Sequence, residues 1–278
     1  MTRTAGYEAG LFATLAELEP GSWWFRSRNA LIEETVRARY AGARAVLEIG
    51  TGTGYTLQAL SRALPEARLV ASELHAEGLE IARTRVPGAE FVQLDALAMP
   101  FRCEFDLITA FDVLEHIEDD AGALRGIARA LRPGGGLLVT VPQHRWLWSE
   151  ADTWARHARR YRRQELLARL DAAGFAVRRV TSFVSLALPL MAAARLRGRV
   201  RRAQFDPWVE FRLPAALDRL LERSAAIDRA VIRRGVSLPA GGSLLVAAEL
   251  VSAPVKDAQE QHDEVHDRGA DRDERVGQ

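Results

Sequence analysis

Two groups of residues in this sequence have the types and spacing to do chemistry. The first begins at Glu48 and runs through glycines at every second position, Gly50, Gly52 and Gly54, with Thr51 between them. Glu73 and Leu74, Asp95 and Ala96, then Phe111 and Asp112 follow, a carboxylate about every 20 residues. Glycines in such a turn let the backbone approach a ligand that any Cβ would hold away. A carboxylate at the end of a strand can accept two hydroxyl hydrogen bonds from a ribose. The second group holds His116, His144 and His157, with Arg159, Arg160 and Tyr161, and near the N-terminus Trp24 and Arg28. Histidine titrates nearest neutrality, so each ring is a candidate general base. Paired arginines suit planar recognition of a phosphate or carboxylate. Each has a plainer reading: loop orientation for His116, loop capping for Asp95, a helix N-terminal charge for Glu73, a solvated basic face for Arg159 and Arg160. For the aromatic run 23–25 the plainer reading is core packing. Cys103 is the sole cysteine, which excludes an intramolecular disulfide and a cysteine-rich metal site, and no metal ligand set is expected.

These residues need a scaffold, and the apolar pattern supplies one. Short apolar runs at 45–49, 67–72, 89–94, 105–110, 136–142, 176–184 and 242–250 read as strands, with helical patterns at 56–64, 75–85 and 164–173 between them. Strand and helix in alternation predict a three-layer α/β/α Rossmann-like sandwich. The first strand runs through the glycines into a helix, whose N-terminus offers unpaired N–H groups and partial positive charge. A dinucleotide fingerprint would place a third glycine where Tyr55 stands. Before the first strand, two helices are expected at 7–18 and 30–40, with the Trp-rich run 23–28 between them.

Glu48-x-Gly50-x-Gly52-x-Gly54, Asp95 followed by Pro100-Phe101, Leu114-Glu115-His116 after the fourth strand, and Arg132-Pro133-Gly134-Gly135 before the fifth occur in order. Together they resemble the class I S-adenosylmethionine-dependent methyltransferases, of the small-molecule type 11/12-like group. The resemblance covers roughly 45–185 and 240–250. It implies a seven-stranded sheet whose last strand is antiparallel, with a helical insertion at 185–240 between strands six and seven. It also implies S-adenosylmethionine as cofactor, held by Glu48, Gly50, Thr51, Gly52, Gly54, Glu73, Leu74, Asp95, Ala96, Phe111 and Asp112. In that arrangement Glu48 serves the amino-acid end, Glu73 the ribose, Asp95 the adenine amino group, and Asp112 lines the transfer channel. A subgroup carries an Asp and a His-x-Arg-Arg-Tyr run after strand five, as at 157–161 here.

The acceptor side follows from position. Ligands of open α/β sheets bind beyond the carboxyl ends of the strands, where 143–161 emerges. The expected acceptor residues are His157, His144 and His116 as catalytic candidates and Trp24, Arg28, Arg159, Arg160 and Tyr161 as contacts. Residues 1–43 read as a helical lid, 44–251 as the methyltransferase domain, and 252–278, with eight acidic and four basic side chains and almost no large apolar ones, as a disordered tail. In the insertion, apolar 185–194 precedes five arginines, which fits a cap on the enzyme or peripheral membrane contact through 185–211. The acceptor is therefore a small molecule or a lipid-linked one, in the cytoplasm or at the inner face of a membrane. A net charge of +1 gives no general bias toward polyanions, and no nucleic-acid partner is expected. The alternatives are a non-catalytic S-adenosylmethionine-binding or membrane-adaptor protein and an NAD-dependent dehydrogenase.

Overall fold

A computed structural model describes residues 9–200, 208 and 211–251 of the chain, with side chains described for 10–195, 208 and 211–251. Seven strands form one sheet in the order β3-β2-β1-β4-β5-β7-β6. They are β1 (Ala45–Ile49), β2 (Arg68–Glu73), β3 (Glu90–Gln93), β4 (Phe105–Phe111), β5 (Leu131–Pro142), β6 (Phe175–Phe183) and β7 (Ser243–Leu250). β7 lies antiparallel to both β5 and β6, and the other pairings are parallel. This is the expected three-layer architecture, with the final strand between β5 and β6. The chain reverses its winding between β1 and β4, which opens a crevice at the carboxyl ends of those strands.

The layers follow from side-chain alternation along strands buried on both faces. Leu47, Ile49, Ile108, Ala110, Leu137 and Val139 face one core, shared with Leu124 and Ile127 of α5 (Asp120–Ala130) and Leu166 and Leu170 of α7 (Arg163–Ala172). Val46, Leu107 and Leu138 face the other, with Ile32 and Val36 of α2 (Trp23–Arg39), Leu57 and Leu60 of α3 (Tyr55–Ala63), and Leu221 and Ile232 of α9 (Ala215–Arg233). α4 (Ala76–Arg85) follows β2 and packs beside β2, β3 and α1 (Phe12–Leu18).

Two details differ from the sequence expectation. The Trp-rich run does not separate helices: it is the first turn of α2, which starts at Trp23. Its aromatic rings and Arg28 therefore lie on a rigid helix rather than on a loop. Secondly, the insertion is fastened to α2. Asp218 of α9 accepts the Trp23 backbone N–H at 2.8 Å, capping a helix whose own Ser22 makes no side-chain cap. Arg26 extends the seam, bonding Asp218 at 2.6 Å and Glu222 at 2.8 Å. Among its described residues the insertion also holds α8 (Leu188–Val200) and a turn at Phe211. No described helix is long and apolar enough to cross a membrane. The tail expected at 252–278 lies outside the described residues.

Candidate active site

A cavity of about 440 Å³ opens at the crevice, within the range of about 300–1,000 Å³ usual for small-molecule sites. Its floor is the glycine turn. Gly50, Gly52 and Gly54 all have left-handed φ, between 55° and 79°. At Gly54 a Cβ would come within 2.8 Å of Ala82 in α4, so only glycine lets the turn and α4 pack together. At Gly52 nothing lies within 4 Å of where a Cβ would sit, and the backbone faces the cavity. Glu73, at the end of β2, accepts from Gly52 N at 2.9 Å and Leu74 N at 2.8 Å, and its carboxyl lines the same wall. Burial raises the Glu73 carboxyl above the usual range, against the pull of those N–H groups. Leu74, Ala96 and Phe111 supply apolar wall.

Two residues expected at the cofactor are not among those that line the cavity. Glu48 is 1% exposed and accepts from Thr51 Oγ1 at 2.6 Å, beneath the turn; it braces the glycines from below, and Thr51 meets the cavity in its place. Burial pushes the Glu48 carboxyl up to about 7. Asp95 accepts from Leu97 N at 2.9 Å, capping a short helical turn, while its neighbours Leu94 and Ala96 face the cavity.

The roof comes from the N-terminal segment and the insertion. Glu19 is 3% exposed, accepts the Thr53 hydroxyl at 2.6 Å and pairs with Arg85, pinning the turn after α1 to the glycine turn. Sequence reading gave Glu19 no role, because nothing local marks a partner 34 residues away. Trp24 and Arg28 both line the cavity; the guanidinium lies 4.5 Å from the Trp24 ring centroid and bonds Asp112 at 2.5 Å. Asp112 itself has φ of 55°, a left-handed conformation that costs about 1–3 kcal/mol for a non-glycine residue and is found at functional sites. Leu190, Met191 and Leu221 close the far side with apolar surface.

The segment after β5 holds a polar cluster. His157 Nδ1 and Asp152 Oδ1 are 2.9 Å apart, and Arg160 Nε donates to the same oxygen at 2.7 Å. Asp152 also closes a capping box with Ser149 on α6 (Glu150–Trp154). Burial would raise its carboxyl, but His157 and Arg160 together hold it well below the usual range. The His116 ring lies edge-on to His157 at 4.6 Å, and burial, then His157, lowers it to about 3, so it is neutral.

Two expected acceptor contacts, Arg159 and Tyr161, and one catalytic candidate, His144, are not among the residues lining the cavity. Tyr161 is 0% exposed, its hydroxyl donating to Asp120 at 2.5 Å, so the ring is core. Arg159 donates to the carbonyls of Ile117 and Glu118 and pairs with Asp120 at 2.7 Å, tying two loops together. His144 stacks near Trp146 at 5.4 Å, away from the cavity lining. A parallel bridge between Gln143 and Tyr161 turns this segment so that Asp152, His157 and Arg160 face in and Arg159 and Tyr161 face the scaffold.

Residues 47–139 match the family model described as methyltransferase domain. These residues are a methyltransferase domain. A curated relative from Mycobacterium tuberculosis, a probable S-adenosylmethionine-dependent methyltransferase, is 30% identical over 165 residues, 58% of this chain and 59% of its own length. Trans-aconitate 2-methyltransferase of an Azoarcus species is 34% identical over 119 residues, 41% of this chain and 47% of that protein. The chain thus matches less than two thirds of these relatives' length. A chain from the solved complex of the Haloferax volcanii Trm112 methyltransferase activator superposes with a TM-score of 0.60 at 19% identity, over 89% of this chain and all of that one, which shows the fold.

The residues of the methyltransferase domain fit S-adenosylmethionine. The backbone at Gly52 leaves the room a Cβ would take, Glu73 has lone pairs beyond those its backbone donors use, and Leu74 and Ala96 give flat apolar surface. That cofactor, when bound, supplies an electrophilic methyl group on a sulfonium centre.

Proposed function

We propose that the protein methylates an acceptor with an apolar body and a polar reacting end, drawn from small molecules or lipid-linked ones. The observation that supports this is the continuity of one cavity. Its glycine-turn wall fits the cofactor, and its opposite wall is the apolar face of α8, α9 and the aromatic start of α2. The polar cluster of Asp152, His157 and Arg160 stands on the same cavity. Glu73 would hold the ribose hydroxyls, and Gly50 and Gly52 would bring backbone alongside the amino-acid end. His157, its Nδ1 on Asp152, presents its other ring nitrogen to the polar end of the acceptor. The roof excludes water and holds donor and acceptor in line, so that catalysis is mainly positioning. Segment 1–43 acts as the lid through Glu19 and Arg28. A membrane-facing role for 185–211 rests on half-exposed Leu186 and Leu190 beside the basic run.

The test is transfer from methyl-labelled S-adenosylmethionine into whole-cell extract, partitioned between organic solvent and water. Label in the organic phase is the expected result. Label confined to water would make the acceptor a polar metabolite. Cofactor binding without any transfer would favour the non-catalytic reading.

A further inference from the structure

One buried group in this cavity is unexplained by methyl transfer. Glu115 is 0% exposed, and beyond the weak pull of its own backbone N–H neither carboxyl oxygen has a hydrogen-bond partner. Buried carboxyls are nearly always satisfied, because leaving one unpaired costs several kcal/mol if it ionises. The neighbouring charges do not satisfy it. Arg28 is taken by Asp112 and Arg160 by Asp152, at 2.5 Å and 2.7 Å. Three carboxylates and two guanidiniums therefore share this end of the cavity, and the carboxyl left over is Glu115. His116 follows it in the chain and His157 stands against His116, and one donor atom from each of the three lies within 4.8 Å of the others.

We propose that Glu115, His116 and His157 bind a divalent transition-metal ion, with an open coordination position toward the cavity. Two imidazoles and one carboxylate suit Zn2+, Co2+ or Fe2+ rather than Mg2+ or Ca2+. In a tetrahedral site with bonds of about 2.0–2.2 Å the ligand atoms stand about 3.3–3.6 Å apart, so the side chains, whose donor atoms lie within 4.8 Å of one another, close by up to about 1.5 Å on binding. The surrounding groups prepare the site. Asp152 holds Nδ1 of His157, which fixes the tautomer and leaves Nε2 as the donor, the carboxylate–histidine–metal arrangement. The His116 ring is oriented by a hydrogen bond to the Ala155 backbone, which leaves its buried Nδ1 without a partner. The ion would supply the partner that the Glu115 carboxyl lacks. All three side chains line the cavity, and with the ion bound His157 Nε2 would meet the acceptor through the metal rather than directly, the remaining position taking an oxygen of the acceptor and lowering its pKa. That role rests on the transfer reading above; ion binding itself does not.

The experiment titrates Co2+ into metal-stripped full-length protein, without cofactor or acceptor, and reads the visible absorption of four- or five-coordinate cobalt. One equivalent is expected to bind with that spectrum. E115Q, which keeps the shape, and H157Q should both lose it, and D152N should weaken binding by about 10–100-fold, as loss of a supporting partner does. Melting temperatures check that each variant is folded; should E115Q fail to fold, H157Q at the cavity wall carries the test. No stoichiometric binding to the wild type overturns the site, as does unchanged binding in folded H157Q. Transfer activity that survives full metal removal, with no cobalt spectrum, removes the ion and leaves the methyltransferase reading standing.

Discussion

The two walls of the cavity are built in opposite ways. The cofactor wall is made of main chain: three left-handed glycines, a helix N-terminus, and Glu73 accepting backbone N–H groups. The acceptor wall is made of side chains from separate parts of the chain, within 23–28, 151–160, 187–195 and 211–221. A wall of backbone has little freedom to vary, since each position is held by dihedral angle and close packing. A wall of apolar side chains tolerates substitution, and its chemistry can be re-aimed residue by residue. Substitutions in the first should therefore destroy cofactor binding, and in the second should retune the acceptor.

The contrast is broken most severely at Gly54. G54V adds left-handed strain and a clash with Ala82, each worth about 1–3 kcal/mol, and calorimetry should detect no S-adenosylmethionine binding. If G54V binds normally, the backbone account of that wall is wrong. Glu48 gives the next effect, on stability. Its folded pKa, about 7, exceeds its unfolded value, so the folded state keeps a proton that the unfolded state has lost. Wild-type stability should fall as pH rises through the window from about 4.5 to 7, by up to about 3 kcal/mol, and E48Q should flatten that slope in urea titrations. A parallel pH profile for both proteins would remove Glu48 as the cause. Glu73→Ala should weaken cofactor binding by about 1–3 kcal/mol through lost charge-assisted hydrogen bonds. On the other wall, Met191→Ala should raise the acceptor KM about tenfold, by about 1.4 kcal/mol of lost apolar contact, and leave the cofactor Kd unchanged. Equal losses for both ligands in M191A would erase the distinction between the walls.

The same contrast decides what could be read from sequence. The cofactor wall is local: glycines every second residue between a strand and a helix, then an acid at the end of the next strand, name their own positions. Even there, Glu48 and Asp95 were placed at the ligand, whereas the fold turns them to brace the turns that line it. The acceptor wall is not local. His157, Arg159, Arg160 and Tyr161 lie within five residues, yet the bridge at Gln143 and Tyr161 sends alternate members to opposite sides. No periodicity of helix or strand announces that turn. Glu19 and Arg26 pair with residues far along the chain, and such pairings leave no mark in either local stretch.

The seam between α2 and α9 has a consequence for how the molecule is made. Asp218 caps a helix that begins 195 residues earlier, and Arg26 reaches Glu222 across 196. Contacts this distant in sequence close a long loop before they return any stabilisation, so they form late. On a ribosome, which releases the N-terminal part first, β1 to β4 and their glycine turn can assemble while the partner of Trp23 has yet to be synthesised. The aromatic start of α2 is then exposed until α9 arrives. The folding intermediate should accordingly have a formed cofactor floor and no roof, and its hydrophobic surface is the part a chaperone would meet.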